Sequence, residues 1–509
     1  MVISSIIPIT EVHLLKDVPL DNSYSDSRNW TSAYEQQLYF ASKKKTGFSY
    51  TNLTPVDLND AMFLKCNAYD VYDCNYVMFK NANFNSRWIY AFIKNIEFVS
   101  INCCKVEFEM DVLQTWYFDH VINDSFITRE MVDDDSIGNN LINEGLETGE
   151  YISNDDEHLD YSDQSVCILS SLDLNMETAN GVIRNGVYSG LSATSNNHIN
   201  ETPQDASVIN DYLGFYIDAG KEDSIVSVYQ YPSFCDGATE KFPASETKTI
   251  QPALNNIDAY VPKNNKLFTF PFNFLAMSNN EGKDITFRYE NFNVPSIIEF
   301  DIKGVFLTTP IIFAYPKNHR GINADVDSGI SISNFPQCAW VGDAFKAWFA
   351  QSKGALALSA FAGVSQIVGG LATKNPMSVG SGAMAIAGQL GSIYDHTQVP
   401  STAHGQTNHD SLNSAMRRFK FSFYKMSIKA NQAKIIDDYF TRYGYKVNVL
   451  KKPNIDTRPF WNYVQTIDAN ITGSIPFNDI VKIKGIYEKG ITFWHTNDIG
   501  NYNNDNRAV

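Results

Sequence analysis

Alternation of apolar and polar residues with a period of two is the dominant pattern along this chain. It predicts strands with one buried and one solvated face. Val106, Phe108 and Met110 alternate with Lys105, Glu107, Glu109 and Asp111. Ile285, Phe287 and Tyr289 alternate with Thr286, Arg288 and Glu290, and Phe419, Phe421 and Phe423 with Arg418, Lys420 and Ser422. Helical spacing is rare. Asn431 is placed to cap a helix carrying Ile435, Ile436, Tyr439, Phe440 and Tyr443 on one side, stopped at Gly444. A strand at Tyr445–Val449 follows at once. A second short helix is expected after Asp111, with Leu113, Trp116 and Tyr117 facing inward. The predicted fold class is mainly β (α+β) with short decorating helices.

One region breaks the pattern. Two uncharged runs of about twenty residues, Gly354–Thr373 and Asn375–Tyr394, flank the single Lys374. Twenty helical residues reach across a hydrocarbon core of roughly 30 Å. The first run carries Leu356, Leu358, Phe361, Val364, Ile367, Val368 and Leu371; the second carries Met377, Val379, Met384, Ile386, Leu390 and Ile393. Asn375-Pro376 supplies a turn between them. Ala355, Ser359 and Gly363, and again Ala383, Ala387 and Gly391, form small-xxx-small rows that permit close approach. Trp340 and Trp348 precede the hairpin and Tyr394 closes it, where an aromatic belt would sit.

Magnitudes temper the membrane reading. The large apolar residues of the first run contribute about −2 to −4 kcal/mol on an insertion scale. Gly354, Gly363, Gly369, Gly370, two serines and Gln366 offset much of that. The second run is richer still in Gly and Ser. Neither run makes a constitutive transmembrane helix, and conditional insertion after release from shelter fits better. Two buried helices or Gly-rich loops packed inside an oligomer remain the alternative, and both descriptions hold in sequence if the segment is packed first and exposed later.

Composition sets outer limits. The chain has 509 residues, 13% of them aromatic, which suits several domains with substantial cores. A formal charge of −17 argues against a surface that clamps nucleic acid, although an acidic wall lets DNA pass without holding it. The seven cysteines form no CxxC pair, and Cys103–Cys104 lies in a strand-like run whose side chains alternate faces. Buried free thiols in a reducing cytoplasm are expected. The opening MVISSIIPITEV lacks a basic region before its apolar stretch and does not read as a signal peptide. The sequons at Asn29, Asn52, Asn123, Asn200 and Asn470 then carry no glycan. From about residue 130 to 265, acidic clusters (Asp133–Asp135, Asp155–Glu157) and Asn-rich loops suggest an inserted excursion with weaker strands.

Catalytic and metal motifs are sparse. His396, His404 and His409, with Asp395 and Asp410 beside them, match neither an i, i+4 pair nor a zinc-finger spacing, so no metal site is assigned; a pH role is the looser reading. Gly380, Gly382 and Ala385 fit GxGxxA, but no apolar strand leads into them. GxxxxGK[ST], HExxH and GxSxG are absent. Asp437 and Asp438 are expected on the solvated side of their helix. No catalytic residue and no cofactor are predicted, and the chain does not read as an enzyme.

Longer strings carry a family resemblance. IDDYFTRYGYKVN (Ile436–Asn448), KKPNIDTRPFWNYV (Lys451–Val464) and GITFWH (Gly490–His495) resemble the tail knob, or distal tail tube, proteins of small short-tailed phages. FEMDVLQTWYFD (Phe108–Asp119), SFITRE (Ser125–Glu130) and VPLDNSY (Val18–Tyr24) resemble the same family's N-terminal half. The match is specific over about 85–150 and 415–495 and thin over 150–330.

The resemblance implies a homohexameric β-rich tube at the tail tip, made in the host cytoplasm, through which phage DNA leaves the virion without specific binding. It also implies partners among other tail proteins. An apolar loop would plug the lumen and then help breach the host cytoplasmic membrane, and it falls on the Gly354–Tyr394 hairpin. The domain division that follows is a tube-wall β domain at 1–150, an outer excursion at 151–275, a returning β segment at 276–335, the membrane-active loop at 336–412 and a second tube-wall β domain at 413–509. The rival reading is an adsorption module that binds cell-wall carbohydrate, which exposed aromatics in the excursion would favour. A wall-degrading enzyme is disfavoured by the missing motifs.

Overall fold

A computed structural model describes residues 10–53, 61–81, 85–161, 163–170, 182–188, 191–199, 225–235, 244–306, 310–333, 335, 337–339, 406–408 and 419–507. Strands dominate, and the fold is mainly β. The chain divides into two units. The first comprises residues 1–147, 263–266 and 434–509; the second comprises 148–262 and 267–433.

In the first unit, six antiparallel strands lie in the order Lys44–Leu53, Thr10–Lys16, Cys74–Asn81, Trp88–Ser100, Cys103–Met110 and Ala61–Leu64. Cys103–Met110 shows the alternation expected of it, with Val106, Phe108 and Met110 buried. A second sheet orders Asp26–Arg28, Ile491–Trp494, Trp461–Ile467, Ser125–Glu130 and Tyr445–Lys451; the Asp26–Arg28 and Ile491–Trp494 pair is parallel. Helix Phe477–Lys489 sends Ile483, Ile486 and Tyr487 into one core with Val464, Ile491, Phe493 and the inward face of the six-stranded sheet. Each such large side chain contributes about 1.5–3 kcal/mol by leaving water.

Among the described residues the second unit holds three sheets. One orders Tyr151–Asp160, Lys420–Ile428, Asn273–Ser278 and Asp284–Phe287. Another runs Ala244–Ile250, Ile298–Phe306 and Pro310–His319, the last also pairing with Ile322–Ala324 and Ile330–Ile332. Their shared core is rich in phenylalanine: Phe287, Phe292, Phe300, Phe335, Phe419, Phe421 and Phe423. The third is six-stranded, in the order Val182–Tyr188, Leu191–Ile199, Gln164–Ser170, Ile225–Pro232, Gln337–Ala339 and Gln406–Asn408.

Several local expectations need correction. Asp111 ends the alternating run but is buried, because it caps helix Val112–Thr115 by accepting from the Gln114 N–H at 3.0 Å. Leu113 and Trp116 are buried as expected. Ser422 is fully buried, its strand being flanked on both sides, and its hydroxyl bonds Asn280 and His158. The strand of Ile285 and Phe287 ends at Phe287, and Tyr289 lies in a 3-10 turn. The helix placed after Asn431 begins at Ala430, whose N–H bonds the Asp258 carboxylate, so Asn431 is inside it.

In that helix Ile436 and Phe440 are buried, but Ile435 is 64% exposed. Asp437 is 1% exposed and not solvated: it accepts from the Lys263 and Asn264 N–H groups at 2.7 and 3.0 Å. Gly444 does end the helix, at φ +65°, where a Cβ would meet the Glu130 carbonyl oxygen at 2.0 Å. Cys66, Cys74, Cys103 and Cys104 form no disulfide among the described residues.

Candidate functional site

The strand Gln337–Ala339 leads into the apolar segment, and Gln406–Asn408 leads out of it. The two strands pair antiparallel, Gln337 with Asn408, Cys338 with Thr407 and Ala339 with Gln406. Paired residues of this kind lie about 5 Å apart, so residues 340–405 leave and rejoin the fold through neighbouring backbone positions. Gln337–Ala339 also pairs with Ile225–Pro232, where Tyr229 and Tyr231 are buried. The ribbon is thereby an extension of a sheet.

Two residues before Gln337 the chain enters the phenylalanine-rich core of the second unit. Phe335 and Phe419 stack with ring centroids 4.8 Å apart and planes at 23°, each 2% exposed. Offset stacking of buried rings is worth about 0.5–1.5 kcal/mol beyond the area buried. The Tyr161 N–H donates to the Phe419 carbonyl at 2.7 Å, and the Tyr161 ring packs on Phe234 and Phe421. Burial pushes the Tyr161 hydroxyl up, which keeps it protonated to donate to Glu246. Backbone pairing joins the two strands of the stem, and the aromatic cluster anchors the chain just before the first of them.

The predicted loop residues from Trp340 through Tyr394, with His396, His404 and His409, lie outside the described residues. Sequence reasoning found Phe419 by its alternation but missed Phe335, which stands alone before Pro336 and Gln337 with no period to mark it. Among the described residues no helix is long and apolar enough to cross a membrane, and no group of three or more His, Cys, Asp or Glu side chains is placed to hold a metal ion. A shallow cavity of about 440 Å³ in the second unit is lined by polar groups including Asn154, Asp155, Gln251, Asn256, Asp258 and Lys425. Among the described residues no aromatic ring lines it.

These features define a strand-built protein with a long apolar segment inserted between two paired strands. Residues 238–507, more than half of the chain, match the family model described as the tail knob protein gp9 C-terminal domain of Bacillus phage phi29. Residues 8–121 match the caudoviral major tail protein N-terminus. Across 98% of this chain and 98% of theirs, the tail knob proteins gp9 of Bacillus phages PZA and phi29 are each 25% identical to it. The solved tail knob protein gp12 of bacteriophage C1 has a similar fold, with a TM-score of 0.61, 14% identity and coverage of 96% and 97% of the two chains. The chain belongs to the phi29 gp9 tail knob family and is a structural component of a phage tail.

Proposed function

We propose that this tail knob protein forms a homohexameric tube at the tail tip for DNA ejection, and that its Gly354–Tyr394 hairpin plugs the channel and then enters the host cytoplasmic membrane. The closed stem carries the reading: a segment whose two ends are hydrogen-bonded neighbours can be sheltered or extended without changing the sheet that bears it. Loop closure at the stem also keeps the cost of a long insertion small, because that cost grows only with the logarithm of its length.

Two further observations support the assembly. The charge of −17 suits a channel wall along which DNA slides. Leu450, Phe126 and Ile467 lie in register across three adjacent strands of the first unit, at 69%, 40% and 59% exposure. Such an apolar row is a surface that another copy would cover.

Phage particles carrying a deletion of Gly354–Tyr394 test the proposal. They are expected to assemble and adsorb normally while failing to deliver DNA. Full infectivity of the deletion particles would sink it.

A further inference from the structure

The edge strand Ala61–Leu64 pairs with Cys103–Met110, with Leu64 opposite Cys104. Two residues beyond Leu64, the chain turns back as the Cys66 N–H donates to the Leu64 carbonyl at 3.0 Å. That turn brings the Cys66 sulfur to 3.2 Å from the Cys104 sulfur. Cys104 is fully buried in the core of the first unit, and Cys66 is half-buried. Cys103, its neighbour in sequence, occupies the opposite face of the strand, because side chains alternate.

We propose that Cys66 and Cys104 are a redox staple: free thiols in a reducing cytoplasm that become a disulfide in an oxidising medium. A disulfide needs sulfurs about 2.05 Å apart, so closing the bond asks for an approach of roughly 1.2 Å, within reach of side-chain rotation. The entry point is Cys66, the more accessible of the two. Burial pushes the Cys104 thiol up to about 12, so it stays protonated until its partner is activated.

With a small-molecule disulfide as oxidant, the Cys66 thiolate attacks one sulfur and expels the other half as a thiolate. The Cys104 sulfur then attacks Cys66 Sγ in the mixed disulfide, and its proton passes to the second departing thiolate. Two S–H bonds are lost from the protein, one S–S bond forms, and the oxidant is reduced to two thiols. The new bond ties the turn after the edge strand to the strand Cys103–Met110 and closes a loop containing Cys74–Asn81 and Trp88–Ser100. Cross-linking restricts the unfolded chain and so favours the folded one. The location that gives this meaning is the virion, which is carried outside the cell; the membrane reading is not needed.

The full-length protein is incubated with oxidised glutathione, blocked with a maleimide, digested without reductant and mapped by mass spectrometry, with Tm measured in parallel. The expected result is a Cys66–Cys104 linked peptide pair lacking two hydrogens and a Tm raised by a few degrees. Both should persist in Cys103→Ser and disappear in Cys66→Ala. Free Cys66 and Cys104 after oxidation, a link to Cys103 or Cys74, a glutathione adduct left on Cys66, or a link that leaves Tm unchanged would each overturn the proposal. The wild-type peptide map decides the pairing even if a variant fails to fold.

Discussion

Asp111 stands where strand alternation puts a solvated carboxylate, yet it is 2% exposed. Its side chain accepts from the Gln114 N–H and, at 2.9 Å, from the Tyr76 hydroxyl. Burial dominates over these bonds and pushes its pKa from 3.8 up to about 7. A carboxyl group with a raised folded-state pKa binds its proton more tightly when folded, so its contribution to stability is present at low pH. That contribution is lost as pH rises between about 4 and 7, at about 1.4 kcal/mol per pH unit in the window. Asp111→Asn keeps an acceptor for the helix cap and removes the titration. Chemical denaturation of wild type and variant at pH 4 to 8 should show the variant gaining relative stability as pH rises to 7. A stability difference independent of pH would contradict this.

At the scale of elements, buried charge fastens segments that are far apart in sequence. Glu144 is 1% exposed in its side chain and pairs with Lys266 and Arg129, while accepting from the Lys446 N–H at 2.9 Å. Arg129 reaches on to the Gly444 carbonyl at 2.8 Å, and Lys266 to the Ile142 carbonyl at 2.9 Å. Burial holds Lys266 below the usual lysine range, with Glu144 pulling the other way. Glu144→Gln removes the shared anion and leaves two cations in the protein interior. It should cost about 3–5 kcal/mol, read by urea denaturation of the whole chain, whereas a loss within 0.5 kcal/mol of zero would contradict the network's role.

The sequence disclosed the elements better than these fastenings. The strand at Cys103–Met110, the short helix behind Asp111 and the stop at Gly444 follow from periodicity, capping and the left-handed backbone conformation that glycine adopts without the strain a side chain brings. Asp437 was misread because its partners Lys263 and Asn264 sit well over a hundred residues away, and a helical wheel records only which residues share a face. Ser422 was misread because strand alternation assumes that one face is wet. The apolar segment stands out by lack of charge, while the paired strands that flank it leave no mark in the sequence. Gln337–Ala339 and Gln406–Asn408 are three-residue strands too short to show a period, and their pairing is a long-range event.

For the whole molecule, a strand-built tail knob carries a long apolar segment whose flanking strands pair with each other. Leu450, Phe126 and Ile467 form an exposed apolar row on the first unit, the surface proposed to meet another copy. Negative-stain images of the purified protein should therefore show sixfold rings or short tubes, and Leu450→Asp should shift them toward single chains. Monomers from the unaltered protein would remove the oligomer. The central claim, however, concerns the hairpin, and dye release from phospholipid vesicles tests it most directly. Full-length protein and the Gly354–Tyr394 deletion, matched for folded content, are compared at equal concentration. The account predicts leakage from the full-length chain and at least a tenfold loss in the deletion. Equal leakage from both would contradict it.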